Sequence, residues 1–265
     1  MEWTALWLGT LLERFKPGLG SDDWRRYAHL GFQRVLSSSL ADRENHPAWT
    51  WAVGVAVPAV LVQIVLAGWD GWLTWFIQLA LIYSVMAWGD YVKSDDIQSD
   101  DLVASGASLA EQTSLEHPAE EVLHRVMGPL LFLLLGQVLG LTWLVLVVYV
   151  LSREWHLTIT NAAAQNVEAI GKWSTMIWKG IDAIATRMGL LVLALVGRFD
   201  AVFEVWLDLA PRWHDSHQHL WQQGLQAAVG VDQDDGVSHR SIRHSQLLVR
   251  AVVVLVGLNT LLAWL

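Results

Sequence analysis

A carboxylate and an imidazole, those of Glu120 and His124, lie four residues apart in a segment that is typical of a helix start. Pro118 is placed as a first helical residue, and Glu120 and Glu121 fall in the first turn, where carboxylates complement the helix dipole. Residues four apart share one helix face, so Glu120 and His124 could form a proton relay or a cation site. Helix-start electrostatics alone would also explain the glutamates, and both interpretations stay open.

A second set of ionisable residues, Lys179, Asp182 and Arg187, directly precedes a short apolar stretch over residues 188–197. Ionisable side chains at membrane depth are rare and mark functional sites. A guanidinium also binds phosphate or carboxylate through two parallel hydrogen bonds. Asp182 and Arg187 are therefore candidate ligand-binding residues, and a purely structural ion pair between Lys179 and Asp182 is the alternative.

A third set lies in a dense histidine cluster, in which His214 and His217 are candidate metal ligands. Residues three apart on a helix face together and can bind a divalent ion with a third ligand from elsewhere. Imidazoles at a membrane interface beside Trp213 and Trp221 are the alternative interpretation.

Nine acidic residues crowd the segment from Asp90 to Glu121, and Glu116 is one of them. Oxygen-rich loops hold Mg²⁺, above all when a nucleotide brings the ion. A solvated acidic surface would give the same composition. The segment leaves open Mg²⁺ with a nucleotide as a cofactor, and the sequence assigns no other cofactor and no catalytic residue.

The composition indicates which elements position these residues. Of the 265 residues, 54% are apolar and 16% are charged, whereas an average soluble protein is about 25% charged. The absence of cysteine excludes a disulfide framework, a thiolate zinc site and a cysteine nucleophile. The net charge of −9 argues against nucleic acid as a partner. We therefore expect a membrane protein whose main partner is the lipid bilayer.

Charge-free runs predict where the chain crosses the bilayer, because a helix needs about 20 apolar residues to span about 30 Å of hydrocarbon. Three runs meet this requirement, at residues 48–69, 72–88 and 127–151. A fourth, 247–265, is interrupted only by Arg250, which lies close enough to its start to reach the headgroups. The first two form a predicted transmembrane hairpin over 48–88, and the stretches 3–12 and 188–197 are too short to cross unaided. The predicted fold is all-α, a multi-pass helical membrane protein with about four transmembrane helices plus interfacial or re-entrant helices.

We predict a single integral membrane domain over residues 1–265, with polar segments between its spans. These segments are a basic interfacial helical segment (13–47), an acidic loop (90–125) and an interfacial or re-entrant helical region (152–246). Lys and Arg are concentrated before the first span and absent from the turn after it, which predicts that segments 13–47 and 90–125 face the cytoplasm. The sidedness of 152–246 stays open.

Three short blocks have a recognisable pattern: LLERF at 11–15, VMGPLLF followed by Leu135 and Gly136, and Asp182 to Arg187 followed by ALVG and Phe199. They resemble the AmpE family of inner-membrane proteins of Gram-negative bacteria. AmpE is distantly similar to the CobD and CbiB proteins of cobalamin biosynthesis, whose conserved acids and Asp/Arg pair match Glu116, Glu120, Asp182 and Arg187. Glu121 replaces an Asn of those enzymes, and their Asp-Pro and His-Pro pairs are missing, which favours the AmpE branch.

The resemblance implies a multi-pass inner-membrane signalling protein linked to cell-wall recycling and β-lactamase induction, with the AmpD amidase, a muropeptide or a nucleotide as partner. In this hypothesis Glu116, Glu120, Asp182 and Arg187 bind the ligand. One alternative is an adenosylcobinamide-phosphate synthase of the CobD/CbiB type, in which Glu116 and Glu120 hold Mg²⁺ around a nucleotide. Another is a small transporter, since broken helices with ionisable residues near the break are typical of transporters.

Overall fold

The computed structural model describes residues 21–37, 47–68, 120–161, 168–209, 211, 217–230 and 237–262. Every regular element in these ranges is helical, which confirms the predicted all-α fold. The α-helices are α1 (Ser21–Ser37), α2 (Pro47–Trp51), α3 (Val57–Gly68), α4 (Gly128–Leu139), α5 (Thr142–Asn161), α6 (Glu168–Val196), α7 (Phe199–Leu209), α8 (His217–Val229) and α9 (Val237–Leu262). Two π-helical turns complete the series: the first π turn (Ala52–Ala56) joins α2 to α3, and the second π turn (Leu123–Met127) leads into α4.

Three helical segments of 20 residues each are long and apolar enough to cross a membrane: Pro47–Leu66, Glu120–Leu139 and Arg243–Leu262. The chain is thus a helical membrane protein. The first and last predicted spans are confirmed, because the first coincides with Pro47–Leu66 and the last falls mostly within α9. The predicted span at 72–88, the stretch 3–12 and residues 90–119 of the acidic loop lie outside the described residues.

The outward side of α3 is apolar, as a surface that contacts lipid must be. Val57, Leu61 and Ile64 recur at helical spacing and are 48%, 57% and 62% exposed. Large contiguous apolar surfaces are rare on soluble monomers and mark sites that contact membranes or partners. This exposure agrees with a bilayer around the first span.

The predicted third span, residues 127–151, is not one helix, because the chain turns back at Gly140. Gly140 adopts the left-handed conformation with φ of +69°, which glycine reaches without steric cost. Its N–H donates to the Gln137 carbonyl, and the N–H of Leu141 donates to the Gly136 carbonyl at 2.8 Å, which is a Schellman ending. Gly136 allows the close return of the chain, since a Cβ there would lie 2.7 Å from Thr142 Cα. The run is therefore an α4–α5 hairpin, and the second span begins earlier, at Glu120.

Each π turn lies just before a proline, and the proline explains it. Proline lacks an N–H and its ring clashes with the carbonyl four residues earlier, so a widened turn avoids that clash. In the second π turn the Gly128 N–H donates to the Leu123 carbonyl. The next hydrogen bond of the same spacing, to the His124 carbonyl, would need an N–H from Pro129. Proline has none, so the His124 carbonyl lacks a main-chain donor. The Tyr149 hydroxyl of α5 supplies it at 3.0 Å.

Helix α5 packs against both π turns through large aromatic side chains. A Cβ on Gly54 would lie 2.7 Å from Trp155 Cζ3, and a Cβ on Gly128 would lie 2.5 Å from Tyr149 Cζ. The two glycines therefore allow α5 to approach both proline-containing helices closely. Near the other end of α5, the Leu144 N–H donates to Gln63 Oε1 of α3 at 2.9 Å. The first main-chain N–H groups of a helix have no partner within the helix, and inside a bilayer there is no water to bind them. This bond satisfies one such N–H of α5.

The apolar stretch 188–197, predicted to be too short to cross unaided, ends α6 and packs inside the bundle. Leu190 and Leu193 are fully buried in the main core, which also includes residues of α4, α5, α8 and α9. Helix α9 is tied to α4 by a buried amide, since Asn259 Nδ2 donates to the Leu130 carbonyl at 3.1 Å. Helix α6 also contacts the second π turn, so its ionisable residues lie against the start of the second span.

Candidate functional site

An imidazole between two carboxylates forms the centre of the candidate site. His124 Nε2 lies 3.7 Å from Glu120 Oε1 and 3.6 Å from Asp182 Oδ1. Glu120 and His124 belong to the start of the second span, whereas Asp182 comes from the middle of α6. The structure thus joins the first two sets of ionisable residues that the sequence indicated. The predicted face shared by Glu120 and His124 is confirmed.

The local backbone fixes where His124 points. His124 lies within the second π turn, its carbonyl accepts the Tyr149 hydroxyl, and its ring contacts Trp178 of α6 with centroids 5.5 Å apart. π turns within α-helices are uncommon and recur at functional sites. The main chain and the ring of His124 are therefore each held by a different neighbouring helix.

Helix α8 closes the third side of the site. Gln218 Nε2 donates a hydrogen bond to Glu120 Oε2. His217 is 8% exposed, and its ring is hydrogen-bonded to the main chain of Lys179 on α6. The candidate site therefore lies where the start of the second span, α6 and α8 meet.

Burial pushes two members of the site toward their neutral forms. It raises the pKa of Asp182 above the ordinary 3.8, and the charge of Glu120 adds to that, while His124, His217 and a hydrogen bond from Thr186 act in the opposite direction. Burial likewise lowers the pKa of His217 below the ordinary 6.5, against the attraction of Asp182. Shifts of this kind, from burial together with specific charged neighbours, are frequent where a protein exchanges protons or binds ligands.

Arg187 faces the interior of the bundle rather than solvent. Its residue is 8% exposed, and its Nη1 donates to the Ala183 carbonyl at 3.0 Å. It lies on α6 near enough to Asp182 and His217 for charge interactions with both. A buried guanidinium of this kind is held in place by the fold. We call Glu120, His124, Asp182, Arg187 and His217 the Asp182 cluster.

Of the six predicted site residues, Glu120, Asp182, Arg187 and His217 lie in or beside one cluster, and Glu116 and His214 lie outside the described residues. Within the described ranges, no group of three or more His, Asp and Glu side chains has the geometry to hold a metal ion. The metal site at His214 and His217 and the Mg²⁺–nucleotide cofactor stay predictions. No local pattern predicted that His217 would approach α6, because that contact is set by tertiary packing.

A second polar cluster, which the sequence did not indicate, fastens α1 to α5. His29 Nε2 lies 3.5 Å from Glu154 Oε2, His29 Nδ1 contacts Thr158 Oγ1, and Arg153 Nη1 donates to Glu154 Oε1 at 3.2 Å. Thr158 already donates its single proton to the Glu154 carbonyl at 2.7 Å, so His29 Nδ1 must be the donor to Thr158. The ring of His29 therefore joins α1 to two residues of α5, Glu154 and Thr158, which lie four residues apart.

The fold and these contacts define an α-helical membrane protein with a mixed-charge cluster where three helical elements meet. No family model, characterised protein or solved structure matches the chain.

Proposed function

We propose that the protein is an inner-membrane signalling protein of the AmpE type, and that the Asp182 cluster senses a small zwitterionic ligand of the muropeptide class. One observation carries the proposal: His124 Nε2 lies within 3.7 Å of carboxylates from two distant segments of the chain. Two of the segments that resemble AmpE, at 126–136 and 182–199, lie largely on α4 and α6, whose buried residues share the main core. That packing supports treating them as parts of one site.

The charges of the Asp182 cluster favour a ligand with both signs. The carboxylates of Glu120 and Asp182 attract an ammonium group, whereas the Arg187 guanidinium and the exposed Lys179 ammonium attract a carboxylate. A peptide stem that carries an amino group and carboxylates offers both. A nucleotide polyphosphate would bring its charge against two carboxylates, so it is the weaker candidate.

Binding to the purified full-length protein tests the proposal. We would titrate the protein in detergent micelles with the tripeptide L-Ala-γ-D-Glu-meso-diaminopimelate, and separately with ADP and ATP with and without Mg²⁺, by isothermal calorimetry. The tripeptide should bind the wild type. Asp182→Asn and Arg187→Lys should each weaken it about tenfold, which corresponds to about 1.4 kcal/mol for one charge-assisted interaction.

The matched control is Glu204→Gln, which neutralises an exposed carboxylate on α7. It should bind the tripeptide as the wild type does. Equal affinity in all four proteins, or no tripeptide binding at all, would contradict the assignment. Binding of ATP only with Mg²⁺, without tripeptide binding, would favour the CobD/CbiB-type enzyme instead.

A further inference from the structure

Helices α5 and α6 run antiparallel, and polar side chains line their contact. Trp178 of α6 contacts Tyr149 at a centroid distance of 5.9 Å and stacks on His156 at 6.1 Å. Nearer the α5–α6 connection, Ile159 lies close to Gly171. Ser152 shares a helix face with His156, and Ser174 shares one with Trp178, because each pair is four residues apart. We call Ser152, His156, Ser174 and Trp178 the α5–α6 seam.

Three polar atoms of the seam are buried without a hydrogen-bond partner among the described residues: Ser152 Oγ, Ser174 Oγ and His156 Nδ1. The two serines are only 2% and 3% exposed. Leaving such a group unsatisfied costs about 1–3 kcal/mol. Buried polar atoms in folded proteins therefore nearly always have partners, and ordered water is the usual one when the protein supplies none.

The two serines differ in this respect from other helical hydroxyls of the chain. Thr158 and Thr160 of α5 donate to carbonyls one turn earlier at 2.7 and 2.8 Å, and Thr260 of α9 does the same at 2.7 Å. That bond is the ordinary local solution for a hydroxyl inside a helix. Ser152 and Ser174 do not make it, so their hydroxyls are available to the seam.

The seam adjoins the Asp182 cluster through Trp178. His124 contacts Trp178, and His124 Nδ1 is a further buried atom with no partner in the described part of the chain. Its other nitrogen, Nε2, is the one that faces Glu120 and Asp182. His124 therefore has one nitrogen toward the carboxylates and one toward the interior.

We propose that the α5–α6 seam binds water molecules and that this water reaches from His156 to His124, which gives the Asp182 cluster an internal water path. Two serine hydroxyls and an imidazole nitrogen supply the two to four partners that a buried water needs. The path does not depend on which ligand the Asp182 cluster binds, or on whether it binds one.

Deuterium exchange at the carbon-bound ring proton of each histidine, read by mass spectrometry of the full-length protein in D₂O, tests the path because this exchange requires solvent at the ring. The test variant is Ser152→Ala with Ser174→Ala, which removes two of the polar atoms that would hold the water. Exchange at His156 and at His124 should then slow severalfold relative to the wild type. His29, whose two ring nitrogens are bonded elsewhere, should keep its rate and serves as an internal control.

The matched variant is Thr260→Ala, which removes a hydroxyl that is already bonded within α9. It should leave the His156 and His124 rates unchanged. Alanine favours helix more than serine does, so the double variant should stay folded, and thermal unfolding checks that it does. Unchanged exchange at His156 in the folded double variant would overturn the water site. Slowing at His156 without slowing at His124 would overturn the connection to the Asp182 cluster.

Discussion

The hydroxyl of Tyr149 should be worth far more to this protein than an ordinary tyrosine hydroxyl, and Tyr149→Phe measures the difference. Tyr149 is fully buried, and its hydroxyl donates at 3.0 Å to the His124 carbonyl that Pro129 cannot serve. Removing it forfeits a hydrogen bond worth about 1 kcal/mol and leaves a partly buried carbonyl unpaired, at a cost near the lower end of about 1–3 kcal/mol. We expect a loss of about 2 kcal/mol, or about thirtyfold in the ratio of folded to unfolded protein.

A second substitution at the same contact makes the test specific. Gly128→Ala would place a Cβ 2.5 Å from Tyr149 Cζ, so the buried ring must move and its hydroxyl must leave the His124 carbonyl. Overpacking of this kind costs about 1–3 kcal/mol. Since Gly128→Ala already breaks the hydrogen bond, adding Tyr149→Phe should cost little more. The two losses should fall short of additivity by about 1 kcal/mol.

The assay is equilibrium unfolding by SDS in mixed micelles, followed by circular dichroism. Tyr27→Phe is the matched control, because Tyr27 is 72% exposed and loss of its hydroxyl should change the free energy of unfolding very little. If Tyr149→Phe lowers the free energy of unfolding no more than Tyr27→Phe does, the Tyr149 hydroxyl does not replace the N–H that Pro129 lacks. Full additivity with Gly128→Ala would likewise refute the argument.

Three further expectations follow from the same contacts. Gly140→Ala should destabilise the protein by about 1–2 kcal/mol in the same assay, because alanine is strained at the left-handed φ of +69°; no loss would mean that the hairpin relaxes. Glu154→Gln should speed tryptic cleavage within residues 21–37, because it weakens the bond to His29, whereas exposed Thr160→Ala should not; equal rates would contradict the role of Glu154 in holding α1. Because burial raises the pKa of Asp182, the folded protein keeps the Asp182 proton at pH values where the unfolded protein has lost it. The contribution of Asp182 to stability therefore falls as the pH rises above 3.8. Measured by thermal unfolding at several pH values, Asp182→Asn should therefore become more stable relative to the wild type as the pH rises. A stability difference that does not change with pH would refute the raised pKa.

Hydropathy predicted the all-α membrane fold because charge-free length is a local property of the chain. It failed within residues 127–151 because the residues that turn the chain back there, from Gly136 to Leu141, are themselves mostly apolar. The useful signal was conformational: Gly140 can adopt the left-handed ending, and Gly136 lets the returning helix pass. Apolarity measures whether a segment prefers lipid, and it carries no information about where the chain reverses within it.

Only the part of the candidate site that lies within one helix was predictable from the sequence. The spacing of Glu120 and His124 placed both on one face, since that follows from helix geometry alone. The approach of Asp182 to His124 depends on how α6 packs against the second span. The hydrogen bond from Gln218 of α8 to Glu120 depends on a further helix. Nothing in the spacing of these residues encodes such contacts, and the partners of His29 and Glu154 were missed for the same reason.

The second π turn accommodates one extra residue in the second span without turning the helix out of phase. Such a turn contains one residue more than an α-helical turn. Deleting one residue between Leu123 and Met127 would therefore restore the α-helical ladder and leave the segments on either side in phase, so Glu120 would still face α8. The change would fall on the widened turn, where the carbonyl of His124 meets Tyr149 and its ring meets Trp178. The extra residue thus concerns how His124 is held, and not which way the carboxylate of Glu120 points.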